Sequence, residues 1–165
     1  MVCIGVIGAM EEEVSSLIQQ MENAESKTLA GMTFYYGTLW NQQAVVVKSG
    51  VGKVNMAVCT QILVDVYEVD MVINTGVAGG LYKDINVGDI VISSDALQHD
   101  FDVTGLGYER GVIPDLPVSI FQADTEMVEM AKEACEIVNP EIQCFVGRVV
   151  TGDQFISDND KKKEL

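Results

Sequence analysis

The chain opens on residues 2–7, a short β-branched run that stops at Gly8 and hands over directly to residues with helical spacing. Consecutive rather than alternate apolar positions fit a strand covered on both faces. Met10, Val14, Leu17, Ile18 and Met21 then recur on one side of a helix, and Glu11, Glu12 and Glu13 fill its first turn. Carboxylates there favour the positive end of the helix dipole, so the three glutamates have a structural reading before any chemical one. A doubly covered strand followed by an amphipathic helix requires a layered α/β arrangement.

The rest of the chain repeats that alternation. Residues 32–39 and 43–48 are β-rich and separated by Trp40-Asn41-Gln42, which predicts a hairpin. Gly50-Val51-Gly52 starts a helix carrying Val54, Ala57, Val58, Ile62 and Val66, and this leads into a strand at 71–75. A further strand opens at 87–92, and residues 105–117, with three Gly and two Pro, predict an exposed excursion. Met127, Met130, Ala131, Ala134 and Val138 give a helix, and residues 144–150 a last strand. With 165 residues and 48% hydrophobic content, one domain with one sizeable core is expected.

Charge narrows the partners. A net charge of -15, from 25 acidic and 10 basic residues, leaves no cationic surface for nucleic acid or an anionic membrane. The apolar N-terminus lacks the basic flank and length of a signal peptide, and no apolar run approaches a membrane span, so a cytoplasmic protein is expected. Cys3, Cys59, Cys135 and Cys144 form no CxxC pair, and His99 is the only histidine; neither a zinc site nor a redox motif is suggested. His99 has a structural and a catalytic reading, and the absence of a Ser or Cys motif beside it favours the structural one.

Chemistry is expected in three strand-to-helix turns. At 8–13 there is neither GxGxxG nor GxxxxGK[ST], and three carboxylates would repel a phosphate, so the turn offers a general base instead of an anion site. Ser49-Gly50-Val51-Gly52-Lys53 and Gly76-Val77-Ala78-Gly79-Gly80 put small residues where backbone could approach a flat ligand, although tight turns explain glycines there as well. Val103, Leu106, Tyr108 and Pro114 form an apolar group that either covers a neighbour's site or closes the local core.

Taken in order, IGAMEEE at 7–13, KSGVGKVNMA at 48–57, NTGVAGGL at 74–81, VGDIV at 87–91, HDFDVTGLGYE at 99–109 and TGDQFI at 151–156 resemble the methylthioadenosine/S-adenosylhomocysteine nucleosidases of the purine nucleoside phosphorylase superfamily. The resemblance implies a three-layer α/β/α fold with a central mixed twisted sheet, forming one domain over residues 1–165. It implies hydrolysis of the adenine–ribose bond by water, without metal or cofactor, on a small adenine nucleoside. Glu13 becomes the base that deprotonates the water. Met10 lines the ribose, and Val51, Ala78 and Gly79 sit by the purine and ribose. Phe155 stacks on adenine, and the Ile156 backbone bonds its edge. Val103, Leu106 and Pro114 cross a homodimer interface to cover the alkylthio group.

Only Arg110 and Arg148 are present, whereas superfamily phosphorylases surround phosphate with arginines, so water is favoured over phosphate as the nucleophile. Many members have Ser at the position of Val77. Members also continue past the helix that begins near Lys161, into a Met-Glu pair for the ribose hydroxyls and an Asp that protonates the purine. Neither is found in residues 1–165, so the resemblance implies a fold missing its last elements, impaired activity and an uncovered sheet edge. A non-catalytic adenosine-binding fragment is the alternative.

Overall fold

A computed structural model describes residues 2–165. The chain divides into two compact units, Met1–Ala78 and Gly79–Leu165.

The first unit contains β1 (Cys3–Gly8), α1 (Glu11–Gln20), β2 (Glu22–Leu29), β3 (Met32–Leu39), β4 (Gln42–Lys48), α2 (Lys53–Tyr67) and β5 (Met71–Asn74). Its sheet has the order β2-β3-β4-β1-β5. β1 lies parallel between β4 and β5, while β2, β3 and β4 run antiparallel in turn. Successive side chains of the central strands point to opposite faces. Ile7, Val45 and Val47 pack with Phe34 against Cys59 and Leu63 of α2. Val6 and Val46 pack against Val14 of α1, with Leu17 and Ile18 closing over them. This unit therefore has the expected three layers, and the doubly covered β1 and β4 account for the consecutive apolar runs.

The 40–42 hairpin forms as expected, with Trp40 and Asn41 both at positive φ. The sequence pattern does not predict β2, because ENAESKTL is polar except for Ala24 and Leu29, and all but its last residue are exposed. It is an edge strand held by β3 alone, and charge suits an edge that must not pair further.

The second unit contains β6 (Ile90–Gln98), a single 3-10 turn at Thr104–Leu106, β7 (Ile120–Gln122), α3 (Thr125–Val138), β8 (Cys144–Thr151) and α4 (Asn159–Glu164). β6 is central, antiparallel to β7 and parallel to β8, and α3 packs on β6 and β8. The fold is thus mixed α/β, with a five-stranded mixed sheet in the first unit and a three-stranded mixed sheet in the second. β5 is the margin of the first sheet.

β6 begins three residues later than the run at 87–92 predicts. Asp89 accepts from the Asn86 N–H (2.7 Å), and Gly88 sits at φ 99°, so 86–89 is a turn. Residues 105–110 and 115–117 are exposed as expected, but the middle of the excursion is not: Gly111 is buried, its N–H donating to Phe101 O (2.8 Å), and 112–114 are half-buried. At the tail, Asp158 caps α4 by accepting from the Asp160 and Lys161 N–H groups. Among the described residues no helix is long and apolar enough to cross a membrane, and no cluster of His, Cys, Asp and Glu could hold a metal ion.

Candidate active site

Three parallel strands of the first unit end at one edge. Gly8 is in register with Lys48, and Ile7 with Asn74. The pairing runs one step past the strands, since the Ser49 N–H donates to Gly8 O and the Thr75 N–H to Ile7 O, each at 2.9 Å. The turns after β1, β4 and β5 are thereby gathered at the carboxyl edge of the sheet, the end at which α/β sheets bind ligands.

Helical geometry separates the three glutamates of α1. Glu11 points outward and meets Lys48 Nζ at 2.9 Å, with both side chains exposed. That hydrogen bond from Lys48 to Glu11 holds the ammonium above its ordinary pKa. Glu12 is exposed, and Glu13 is half-buried and turns back under the β1–α1 turn. Its Oε2 accepts from the Ala9 N–H (2.7 Å) and the Met10 N–H (2.9 Å), and its Oε1 accepts from the Val77 N–H (3.0 Å). The Met10 contact is one half of a capping box. The Val77 contact comes from 64 residues away and has no role in capping the helix.

The two small-residue turns differ. Gly50 and Gly52 lie at φ 82° and 104°, so turn geometry accounts for them. Gly76, Gly79 and Gly80 do not have positive φ, and a tight left-handed turn does not explain them. A Cβ at Gly76 would fall 2.6 Å from Glu13 Oε1. Near this edge, Met10, Val51 and Val77 expose apolar side chains, Val51 at 72% and Val77 at 81%. Ala78 closes the first unit and Gly79 opens the second.

Val103, Leu106, Pro114, Phe155 and Ile156 belong to the second unit. Phe155 is 94% exposed and Leu106 75%, whereas Val103, Pro114 and Ile156 are half-buried. His99 lines a polar cleft of about 310 Å³ with Asp100, Asp102, Arg110 and Lys161. Its backbone N–H donates to Thr151 O (2.9 Å), and its ring lies where a Cβ on Gly152 would be 2.5 Å from Nε2. These close contacts fit the structural reading of the histidine. Arg110 pairs with Asp102 at 3.1 Å, and Arg148 pairs with Asp95.

The main-chain donors of Ala9 and Val77, together with Gly76, were not singled out from sequence. An amide N–H carries no residue-type signature, and the sequence marks 76–80 only as small.

Residues 3–165 match the Phosphorylase superfamily. The 5′-methylthioadenosine/S-adenosylhomocysteine nucleosidase of an Exiguobacterium species is 43% identical over 162 residues, covering 98% of this chain and 69% of that protein. The Bacillus pumilus nucleosidase of the same name is 46% identical over 158 residues, covering 96% and 68%. The crystal structure of the Neisseria meningitidis nucleosidase in complex with methylthio-immucillin-A superposes with a TM-score of 0.93 at 38% identity, over 99% of this chain and 70% of that one. The Colwellia psychrerythraea nucleosidase in complex with adenine gives 0.93 at 40% identity, over 99% and 67%. With an acidic first turn, three converging strand ends and matches along its whole described length, this chain belongs to the 5′-methylthioadenosine/S-adenosylhomocysteine nucleosidase family.

Proposed function

We propose that the chain hydrolyses the bond between adenine and the sugar in 5′-methylthioadenosine and S-adenosylhomocysteine, with Glu13 as general base. The observation that carries this is the grip of three main-chain N–H groups on one carboxylate at the carboxyl edge of β1 and β5. Glu13 takes a proton from water as the water oxygen bonds to the anomeric carbon. The bond to the purine nitrogen breaks, its electron pair leaves with adenine, and adenine takes up a proton from solvent. Negative charge at Glu13 also favours the cationic character of a ribosyl transition state.

Met10, Val51, Ala78 and Gly79 line the sugar and purine, Phe155 stacks on adenine, and the Ile156 backbone meets its edge. The strong exposure of Val51 and Phe155 supports these roles, since core packing does not occupy them. Val103, Leu106 and Pro114 are assigned to the alkylthio group of a second copy's substrate in a homodimer. Water rather than phosphate is the nucleophile. Both arginines already face carboxylates, and a dianion beside Glu11, Glu12 and Glu13 would be repelled.

Incubation with methylthioadenosine should release adenine in phosphate-free buffer, and Glu13→Gln should lower the rate by about 10²–10⁴-fold while the protein stays folded. A requirement for phosphate, or full activity of Glu13→Gln, overturns the assignment. Calorimetric binding of the nucleoside without adenine release would instead support an adenosine-binding module.

A further inference from the structure

We propose that Gly76 is a positioning residue for Glu13, and that Oε1 is the carboxylate oxygen that receives the proton; this rests on the reading of Glu13 as the base. Two observations converge. First, the three heavy atoms nearest to a Cβ built on Gly76 all belong to Glu13: Oε1 at 2.6 Å, Cδ at 3.0 Å and Oε2 at 3.3 Å. Gly76 does not have positive φ, so its backbone admits any residue. The space reserved there serves the carboxylate rather than the turn.

Second, the hydrogen bonds divide the two oxygens unequally. A carboxylate oxygen has two lone pairs. Those of Oε2 are both engaged, by the Ala9 and Met10 N–H groups. Among the described residues Oε1 accepts only from the Val77 N–H, which leaves one lone pair for the water proton. The two donors on Oε2 anchor the group to its own turn. The Val77 contact ties Oε1 to the end of β5, and it forms only because residue 76 has no side chain.

An alanine at 76 meets the far end of a flexible side chain, not backbone, so the fold absorbs it while Glu13 swings away from Val77. Displacing a reacting group by about 1 Å costs on the order of 10²-fold. Gly76→Ala should therefore lower kcat for methylthioadenosine roughly 10²-fold with KM unchanged, the signature of an interaction made in the transition state. Gly147→Ala is the control, since a Cβ at that glycine meets nothing within 4 Å.

Amide proton shifts provide a readout that needs no turnover. Glu13→Gln should move the Ala9, Met10 and Val77 amides together, and Gly76→Ala should move Val77 most. Wild-type kcat in Gly76→Ala, or a Val77 amide unmoved by Glu13→Gln, overturns the proposal. If the unaltered protein releases no adenine, the nucleosidase reading fails, and the amide shifts alone decide whether Gly76 positions Glu13.

Discussion

In the first unit, β1 and β4 are covered by α1 on one face and α2 on the other, and every buried apolar side chain among the described residues lies there, from Val6 to Leu63. In the second unit a three-stranded sheet carries α3, and the only buried residue among those described is Gly111. Both units are rich in valine and isoleucine, so composition does not separate them. What differs is the number of covered faces: between two helical layers β1 and β4 bury consecutive residues, whereas no residue of β6 or β8 is buried. The Glu13 carboxylate is mounted on the closed unit, where its main-chain donors are fixed by the ends of packed strands. The apolar residues assigned to substrate, Leu106 and Phe155, stand exposed on the open one.

The sharpest way to break this contrast is to remove one aromatic ring from each unit. Phe34 is fully buried and stacks on Tyr67 with centroids 5.3 Å apart, so Phe34→Ala should cost about 3–5 kcal/mol. Phe121 of β7 is 41% exposed, and Phe121→Ala should cost less than about 1 kcal/mol. Trp40, the sole tryptophan, sits at the β3–β4 hairpin and reports the first unit by fluorescence during denaturant unfolding. Equal losses for the two variants would mean that the second unit has a core as closed as the first.

A medium-sized effect comes from Cys59, fully buried on α2 against the sheet. Burial pushes its thiol from an ordinary value of 9.0 up to about 11. The folded state thus holds its proton more tightly than the unfolded chain. The resulting stability is fully present below pH 9.0 and is lost as pH rises towards 11. At about 1.4 kcal/mol per unit, the loss reaches roughly 2–3 kcal/mol. Cys59→Ala should be less stable at neutral pH yet lose less than the unaltered protein across that window. An unchanged alkaline slope in the variant would trace the loss to another group.

How much of this was legible depends on which kind of residue carries each feature. The first unit's core was readable because consecutive β-branched residues in β1 and helical spacing in α1 leave few other solutions. β2 and β7 are illegible for opposite reasons: one is long but carries only Ala24 and Leu29 as apolar residues, and the other has only three residues, Ile120–Gln122. Glu13 could be chosen among three glutamates only through the family resemblance. The physical reason for that choice, main-chain donors from residues 9, 10 and 77, depends on the β1–β5 register, which no local pattern displays. The purpose of Gly76 was hidden in the same way, since a glycine kept for space reads the same as one kept for a turn.

The smallest effect should appear at acid pH and in the second unit. The hydrogen bond from the Arg148 guanidinium, which joins β8 to β6, holds the Asp95 carboxyl below the usual carboxylate range, and the Ser94 hydroxyl adds to it. A depressed folded value contributes stability that is present above the ordinary carboxylate pKa and disappears as pH falls through the folded one. The Asp95 side chain is largely covered, but Arg148 is exposed and water screens the pair from that end, so the loss should be slight and should shrink further in salt. In Arg148→Gln, the Asp95 carboxyl resonance should titrate at higher pH than in the unaltered protein, while Trp40 fluorescence keeps its acid midpoint. If the Trp40 midpoint moves with it, the two units do not lose structure independently.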